Sequence, residues 1–222
     1  MKAFVVAMES EAAAILPHLT HRRELSIFGR CVVEGTLADE RTAMVISGIG
    51  KVNAAAATQL ALDRYSPELL LNVGVVGGVD ARLSVAELRI VSRAFQCDFD
   101  LSAVNDAPRG TPDEYRQPFF ELLVVPGFES VICATGDSFT NDDADCDFVV
   151  GEMGASVRDM ELGAIAHVAA RAGVPLASLK AVSDVHVPGR LPPVEQYRQN
   201  LARAVAALTE AMPRFFGTCS VF

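Results

Sequence analysis

Residues 68–78 read ELLLNVGVVGG. Leu69 to Val73 are apolar on both sides of the chain, broken only by Asn72. A strand with one wet face alternates polar and apolar residues; a continuous apolar run marks a central strand covered on both faces. Covering a strand twice requires layers above and below it. Helices between such strands supply those layers, which places the chain in the α/β class.

The flanking sequence follows that pattern. KAFVVAM (2–8), SVICATG (130–136) and PLASLKAVSD (175–184) read as further buried strands. ESEAAAILPHL (9–19) reads as a helix with Glu9 and Glu11 in its first turn, where the helix dipole favours negative charge. KVNAAAATQLALDRYSP (51–67) reads as a second helix, with Val52, Ala56 and Leu60 on one face and Pro67 ending it. ELGAIAHVAARAG (161–173) reads as a third, stopped by Gly173. Val194, Tyr197, Leu201, Val205, Leu208 and Met212 recur at spacings of three and four and form the apolar stripe of a last helix.

SIFGRCVVEGTL (26–37) and RTAMVISG (41–48) are expected as antiparallel strands around the ADE turn, and 86–100 as more extended chain. ASVRDM (155–160) is expected as a strand and DFVVGEM (147–153) as a short helix. Residues 102–118 read as a loop and 214–222 as a C-terminal tail. The expectation is one domain over 1–222: a three-layer α/β/α fold with a mixed, mostly parallel central sheet.

Composition narrows the function. Half of the 222 residues are apolar and 21% are charged, as in a globule with a sizeable core. The net charge of -9 repels phosphate backbones, so general nucleic-acid binding is not expected. No apolar run is long enough to cross a bilayer, and MKAFVVAMESE turns acidic too early for a signal peptide. The five cysteines have no CxxC spacing and the four histidines form no ligand pattern, so no metal, cofactor or disulfide framework is expected. Reduced thiols suit a cytoplasmic protein.

In open α/β sheets, ligands bind outside the carboxyl ends of the strands. Here the strand exits carry AMESE, SGIGK, NVGVVGG, ATGDSFTN, RDMELG and VSDV, with acids, glycines and small polar residues that a core does not need. Each admits a plain reading. SGIGK is not a phosphate-binding loop, since Val45 stands where its first glycine would be and Val52 follows the lysine; GVVGG is not a dinucleotide fingerprint. Both could be tight turns into helices. Glu11 and Glu161 could be helix-start acids, Asp184 a cap, and Phe139 core.

The six motifs together, in this order and at these separations, resemble the 5′-methylthioadenosine/S-adenosylhomocysteine nucleosidases of the nucleoside phosphorylase superfamily. The resemblance runs from Lys2 to about Met212. It implies a nucleoside phosphorylase-like fold, usually homodimeric, with an adenine nucleoside as the small-molecule partner. It implies hydrolysis of the N-glycosidic bond to adenine and a thioribose. By resemblance, Asp184 is the acid for N7 of adenine, oriented by Ser183; Glu11 activates water; Glu161 holds the ribose hydroxyls and faces the ribosyl cation. Met160 packs on the sugar, Phe139 stacks on adenine, and the backbone of Thr140 reads its edge. Ile49 and Met8 line the sugar and thioether pocket, Gly74 and Val75 bring backbone to the ligand, and Lys180 replaces an arginine near the water.

The chain departs from the pattern in places. Val75 stands where many members have serine, and Asp159 where bacterial members often have glutamate. Val194 stands where a pocket aromatic is expected, and 102–118 do not match the loop that usually crosses to the partner subunit. A purine nucleoside phosphorylase, a futalosine or aminofutalosine hydrolase and a non-catalytic nucleoside-binding module are the competing readings. The apolar GVVGG exit lacks the arginines or hydroxyls of a phosphate cradle, which favours hydrolysis.

Overall fold

A computed structural model describes residues 1–139, 147–186 and 191–219. Its strands are β1 Lys2–Val6, β2 Thr20–Ile27, β3 Arg30–Leu37, β4 Glu40–Ile46, β5 Leu69–Gly78, β6 Leu88–Gln96, β7 Phe120–Glu121, β8 Ser130–Thr135, β9 Val157–Asp159 and β10 Leu176–Val185. Its α-helices are α1 Glu9–Ala12, α2 Lys51–Tyr65, α3 Ser102–Asn105, α4 Leu162–Ala172 and α5 Pro193–Cys219. A π-helical segment spans Asp147–Glu152.

β5 is the hub. It pairs in parallel with β1 and β10 and, at Gly77–Arg158 and Gly78–Val157, antiparallel with β9. β10 also pairs with β6, β6 with β8 and β8 with β9, so five strands close into a ring. The β2–β3–β4 meander extends from β1 on the other side. The sheet is mixed, and β1, β4, β5 and β10 run parallel, so their carboxyl ends share one edge. Every residue of β1 and β10 is buried, as continuous apolar strands require. Asn72, the one polar side chain in the apolar run of β5, is satisfied: its amide donates to Val5 O at 2.9 Å and it accepts from Ser178 Oγ at 2.8 Å.

One core lies between the sheet and α2 with α4; another lies between the sheet and α1 with α5. These are the three layers expected, in a single α/β unit.

Several local expectations change. The first helix stops at Ala12, followed by a 3-10 turn at Leu16–His18, and the chain is already extended at Thr20. β2 is largely exposed, so no apolar alternation announced it. Its hairpin turns at Phe28 and Gly29, both with positive φ (49° and 76°), the geometry that suits a tight β-hairpin. α2 buries Ala54, Ala57, Thr58 and Ala61 and leaves Val52 81% exposed. A helix this rich in alanine carries almost no amphipathic signal, and the face it buries is not the one marked by Val52, Ala56 and Leu60. Residues 102–118 hold the single turn of α3. Residues 214–219 are not tail: α5 runs through Pro213 to Cys219, and Phe215 and Phe216 are fully buried, Phe216 stacked 6.1 Å from Phe4.

Candidate active site

A cavity of about 460 Å³ opens where β1, β4, β5 and β10 end. That volume is in the range of small-ligand sites. Glu11, Glu161 and Asp184, from three separate strand exits, all line it.

Glu11 sits in α1, directly after β1, and is buried. Its Oε2 accepts from the N–H of Ala7 (3.2 Å) and Met8 (3.1 Å), and its Oε1 from the N–H of Val75 (2.8 Å). The bond to Met8 is the return half of a helix-start capping box, so Glu11 is both the helix-start acid and a cavity acid. Burial raises its pKa, opposed by the Lys180 ammonium and the three amides. Gly74 makes the approach possible: a Cβ there would lie 2.5 Å from Glu11 Oε1.

Asp184 ends β10 and is 3% exposed. Burial pushes its pKa up to about 6, with the Ser183 hydroxyl pulling the other way. Ser183 Oγ is 2.7 Å from Asp184 Oδ1 and 3.2 Å from Val76 O, and its single proton serves one of them at a time. Gly77 is the second necessary glycine, since a Cβ there would lie 3.0 Å from Asp184 Oδ2.

Glu161 immediately precedes α4, and its Oε1 accepts from Gly50 N at 2.8 Å. Burial raises its pKa, and the negative charges of Asp159 and Glu11 add to the rise, against the Gly50 amide and Lys180. Asp159, two residues earlier, has a different task. It accepts from Thr135 Oγ1 (2.6 Å), from the Leu162 N–H at the start of α4 (3.1 Å) and from Lys180 Nζ (2.9 Å). Burial opposes charge on Lys180, but Asp159, Cys133 and Glu11 outweigh it and hold the ammonium above the ordinary lysine range. Lys180 and Asp159 are each 2% exposed in their side chains, a fully buried ion pair.

The rest of the wall is apolar or aromatic. Phe139 lines the cavity while remaining 52% exposed, and it meets Tyr197 edge-on with ring centroids 6.0 Å apart. Tyr197 Oη lies 3.4 Å from Met8 Sδ. The segment carrying Phe139 is tied down beside it: Asp137 accepts from Lys51 N (2.8 Å) and donates its own N–H to Asp98 (2.9 Å), which also pairs with Lys51 Nζ (2.6 Å).

The phosphorylase superfamily profile matches residues 2–216. A 5′-methylthioadenosine/S-adenosylhomocysteine nucleosidase from Geobacillus thermodenitrificans is 34% identical over 96% of each chain. The chain belongs to that nucleosidase family. Among solved structures, the nucleosidase of that name from Helicobacter pylori, with butyl-thio-DADMe-Immucillin-A, has a TM-score of 0.87 at 22% identity over 97% of each chain. The futalosine hydrolase of Helicobacter pylori reaches 0.85 at 23% identity, covering 98% of this chain and 95% of that one. These two likenesses concern the fold. Family membership makes the chain an enzyme, a hydrolase of N-glycosidic bonds.

For a nucleosidase of this family, the cavity gathers Met8, Glu11, Ile49, Val75, Phe139, Met160, Glu161, Ser183 and Asp184 from the positions singled out in the sequence. Gly74 stands behind the wall, against Glu11. Thr140 lies outside the described residues. Lys180 differs from expectation: it does not line the cavity but is sealed behind it against Asp159, and reaches Glu11 only through its charge. Sequence reading missed Arg158, Tyr197 and Arg198 as cavity residues. Tyr197 had been placed in the apolar stripe of α5; it supplies an aromatic three residues after Val194.

The state of Asp184 has a consequence for stability. A buried acid whose pKa is raised contributes stability in full below its unfolded pKa near 4, and that stability is lost as pH rises through about 6. Asp184→Asn should therefore be more stable than the wild type at pH 7.5, by about 1–3 kcal/mol, and should lose that advantage towards pH 4. Urea denaturation at the two pH values reads the difference; an advantage independent of pH would show that Asp184 is not a charge buried at a cost.

Proposed function

We propose that the chain hydrolyses 5′-thioether adenine nucleosides, 5′-methylthioadenosine and S-adenosylhomocysteine, to adenine and a thioribose. What carries the reading is one observation. Of the four acids that line the cavity, Glu11, Glu161 and Asp184 sit in three different electrostatic settings, so each suits a different task, while Asp159 is taken up by Lys180.

Asp184 has no ion pair among the described residues, and burial lets it hold a proton up to about pH 6, well above an ordinary aspartate. It is the acid that protonates N7 as negative charge builds on the departing adenine. Glu11, with three amide donors and Lys180 behind it, is the base that draws a proton from water. Its Oε1 and Oε2 are fixed, so the water is met by a preset group. Glu161, held by the Gly50 amide at the turn after β4 and with its pKa raised to about 7 by burial, binds the ribose hydroxyls and in its ionised form stabilises the oxocarbenium-like cation. Phe139 stacks on the base, and Met160 and Met8 pack on sugar and sulfur. Lys180 and Asp159 are positioning residues: the pair fixes the start of α4, and with it Glu161.

Water rather than phosphate is the attacking group in this reading. At the β5 exit the cavity presents Val75 and Val76, which offer no side-chain donors to a phosphate. A futalosine-type substrate is the second reading, supported by the fold likeness to futalosine hydrolase. The family resemblance further supports a homodimer, for which the exposed Val52 and Ala56 of α2 offer an apolar face. Equilibrium sedimentation should give two chains per particle; a monomer at micromolar concentration would refute it.

Adenine release from methylthioadenosine should proceed equally with and without phosphate, and absolute dependence on phosphate would overturn the hydrolase reading. A parallel panel with S-adenosylhomocysteine, aminofutalosine and inosine separates the substrate classes. kcat/KM should fall about tenfold per pH unit above about 6 as Asp184 loses its proton. Asp184→Asn should lower the rate by roughly 10²–10⁴-fold; a mild loss with the alkaline limb intact would remove Asp184 from the acid's role.

A further inference from the structure

We propose that Arg198 is a specificity residue of this site, whose guanidinium recognises a carboxylate at the far end of the 5′ substituent. The proposal rests on the nucleosidase reading and adds to it a preference, among charged 5′ substituents, for one that ends in an anion.

Val194, Tyr197 and Arg198 all border the cavity. They stand at i, i+3 and i+4 in α5, a spacing that puts them on one helix face. An apolar residue and an aromatic suit a thioether pocket; a guanidinium does not. Tyr197 fixes where this face lies, through its contacts with Met8 Sδ at 3.4 Å and Phe139 at 6.0 Å. Arg198 is the next residue, on the solvent side, and is exposed.

Some arginines of the molecule are engaged with acids, as Arg82 with Asp80, Arg89 with Glu87 and Arg171 with Glu114, while others, such as Arg22 and Arg203, have no ion pair among the described residues and do not line the cavity. Arg198 has no ion pair among the described residues, although Glu11, Glu161 and Asp184 line the same cavity. Its charge is therefore available to a ligand. The other cationic side chain of the wall, Arg158, is buried on β9, with its Nη2 3.9 Å from Cys97 Sγ.

Charge explains why a cation is needed at the mouth. A chain of net charge -9 with four acids lining its cavity repels an incoming anion. A methylthio group is neutral and needs no counter-charge. A substituent ending in a carboxylate does, and the planar fork of a guanidinium matches a carboxylate through two parallel hydrogen bonds.

The test compares three adenosine 5′-thioethers bearing methyl, 2-carboxyethyl or 2-aminoethyl on sulfur, with S-adenosylhomocysteine as a fourth. In the wild type, kcat/KM should favour carboxyethyl over aminoethyl by about five- to fiftyfold at low salt, with the ratio shrinking as ionic strength rises. Arg198→Gln should bring the ratio close to one, Arg198→Lys should restore part of it, and Arg198→Glu should invert it. Thermal melts confirm that each variant is folded. Equal use of the two charged probes by the wild type would overturn the proposal, as would a ratio preserved in Arg198→Gln. If no probe is hydrolysed, the nucleosidase reading fails, and the same ratio read from calorimetric binding affinities still decides the role of Arg198.

Discussion

A carboxylate taken out of water needs hydrogen-bond donors, a cation or a proton. The acids around this cavity receive different answers. Glu11 is given three backbone N–H groups and the charge of Lys180. Asp159 is given an ammonium, a hydroxyl and the start of a helix. Asp184 is given a single serine hydroxyl and no cation among the described residues, so protonation is its route to neutrality. Chemical division of labour follows from this unequal treatment, not from the identity of the side chains.

The fold makes that treatment possible. β5 runs through the middle of the sheet and touches β1, β9 and β10, the strands that lead to the acids. Its glycines lie where those acids converge: Gly74 under Glu11 and Gly77 under Asp184. Only a residue without a Cβ lets carboxylates approach a strand so closely. The donors to Glu11 are backbone amides of fixed elements, so the group is held before any substrate arrives, which lowers the reorganisation that reaction would require. Lys180, behind the wall, neutralises Asp159 at the wall and sets the potential within the cavity.

Much of this was legible in the sequence, for physical reasons. The apolar run of β5 is a signal that does not depend on distant contacts, and it identified the layers; the acids at strand exits marked the edge where a ligand binds, and the family resemblance singled out Glu11, Glu161 and Asp184 among them. What escaped depends on neighbours. β2 is mostly solvated and carries no alternation; α2 is too rich in alanine to show which face it buries; the extension of α5 past Pro213 is held by Phe215 and Phe216 in a core that local sequence does not reveal. The place of Lys180 turns on Asp159, 21 positions away in sequence and 2.9 Å away in space. Tyr197 and Arg198 follow the stripe of α5, where periodicity reads as core, and only the three-dimensional course of the helix shows that its first turns leave the core and border the cavity.

The central claim is that burial in this cavity raises the pKa of Asp184 to about 6, so that it still carries a proton where an ordinary aspartate is fully ionised. Carbon-13 NMR of the protein labelled at the aspartate carboxyl carbon, with Asp184→Asn to assign the signal, titrates that one group directly. The account predicts a midpoint at about 6. A midpoint near 4, where an unperturbed aspartate titrates, would contradict it.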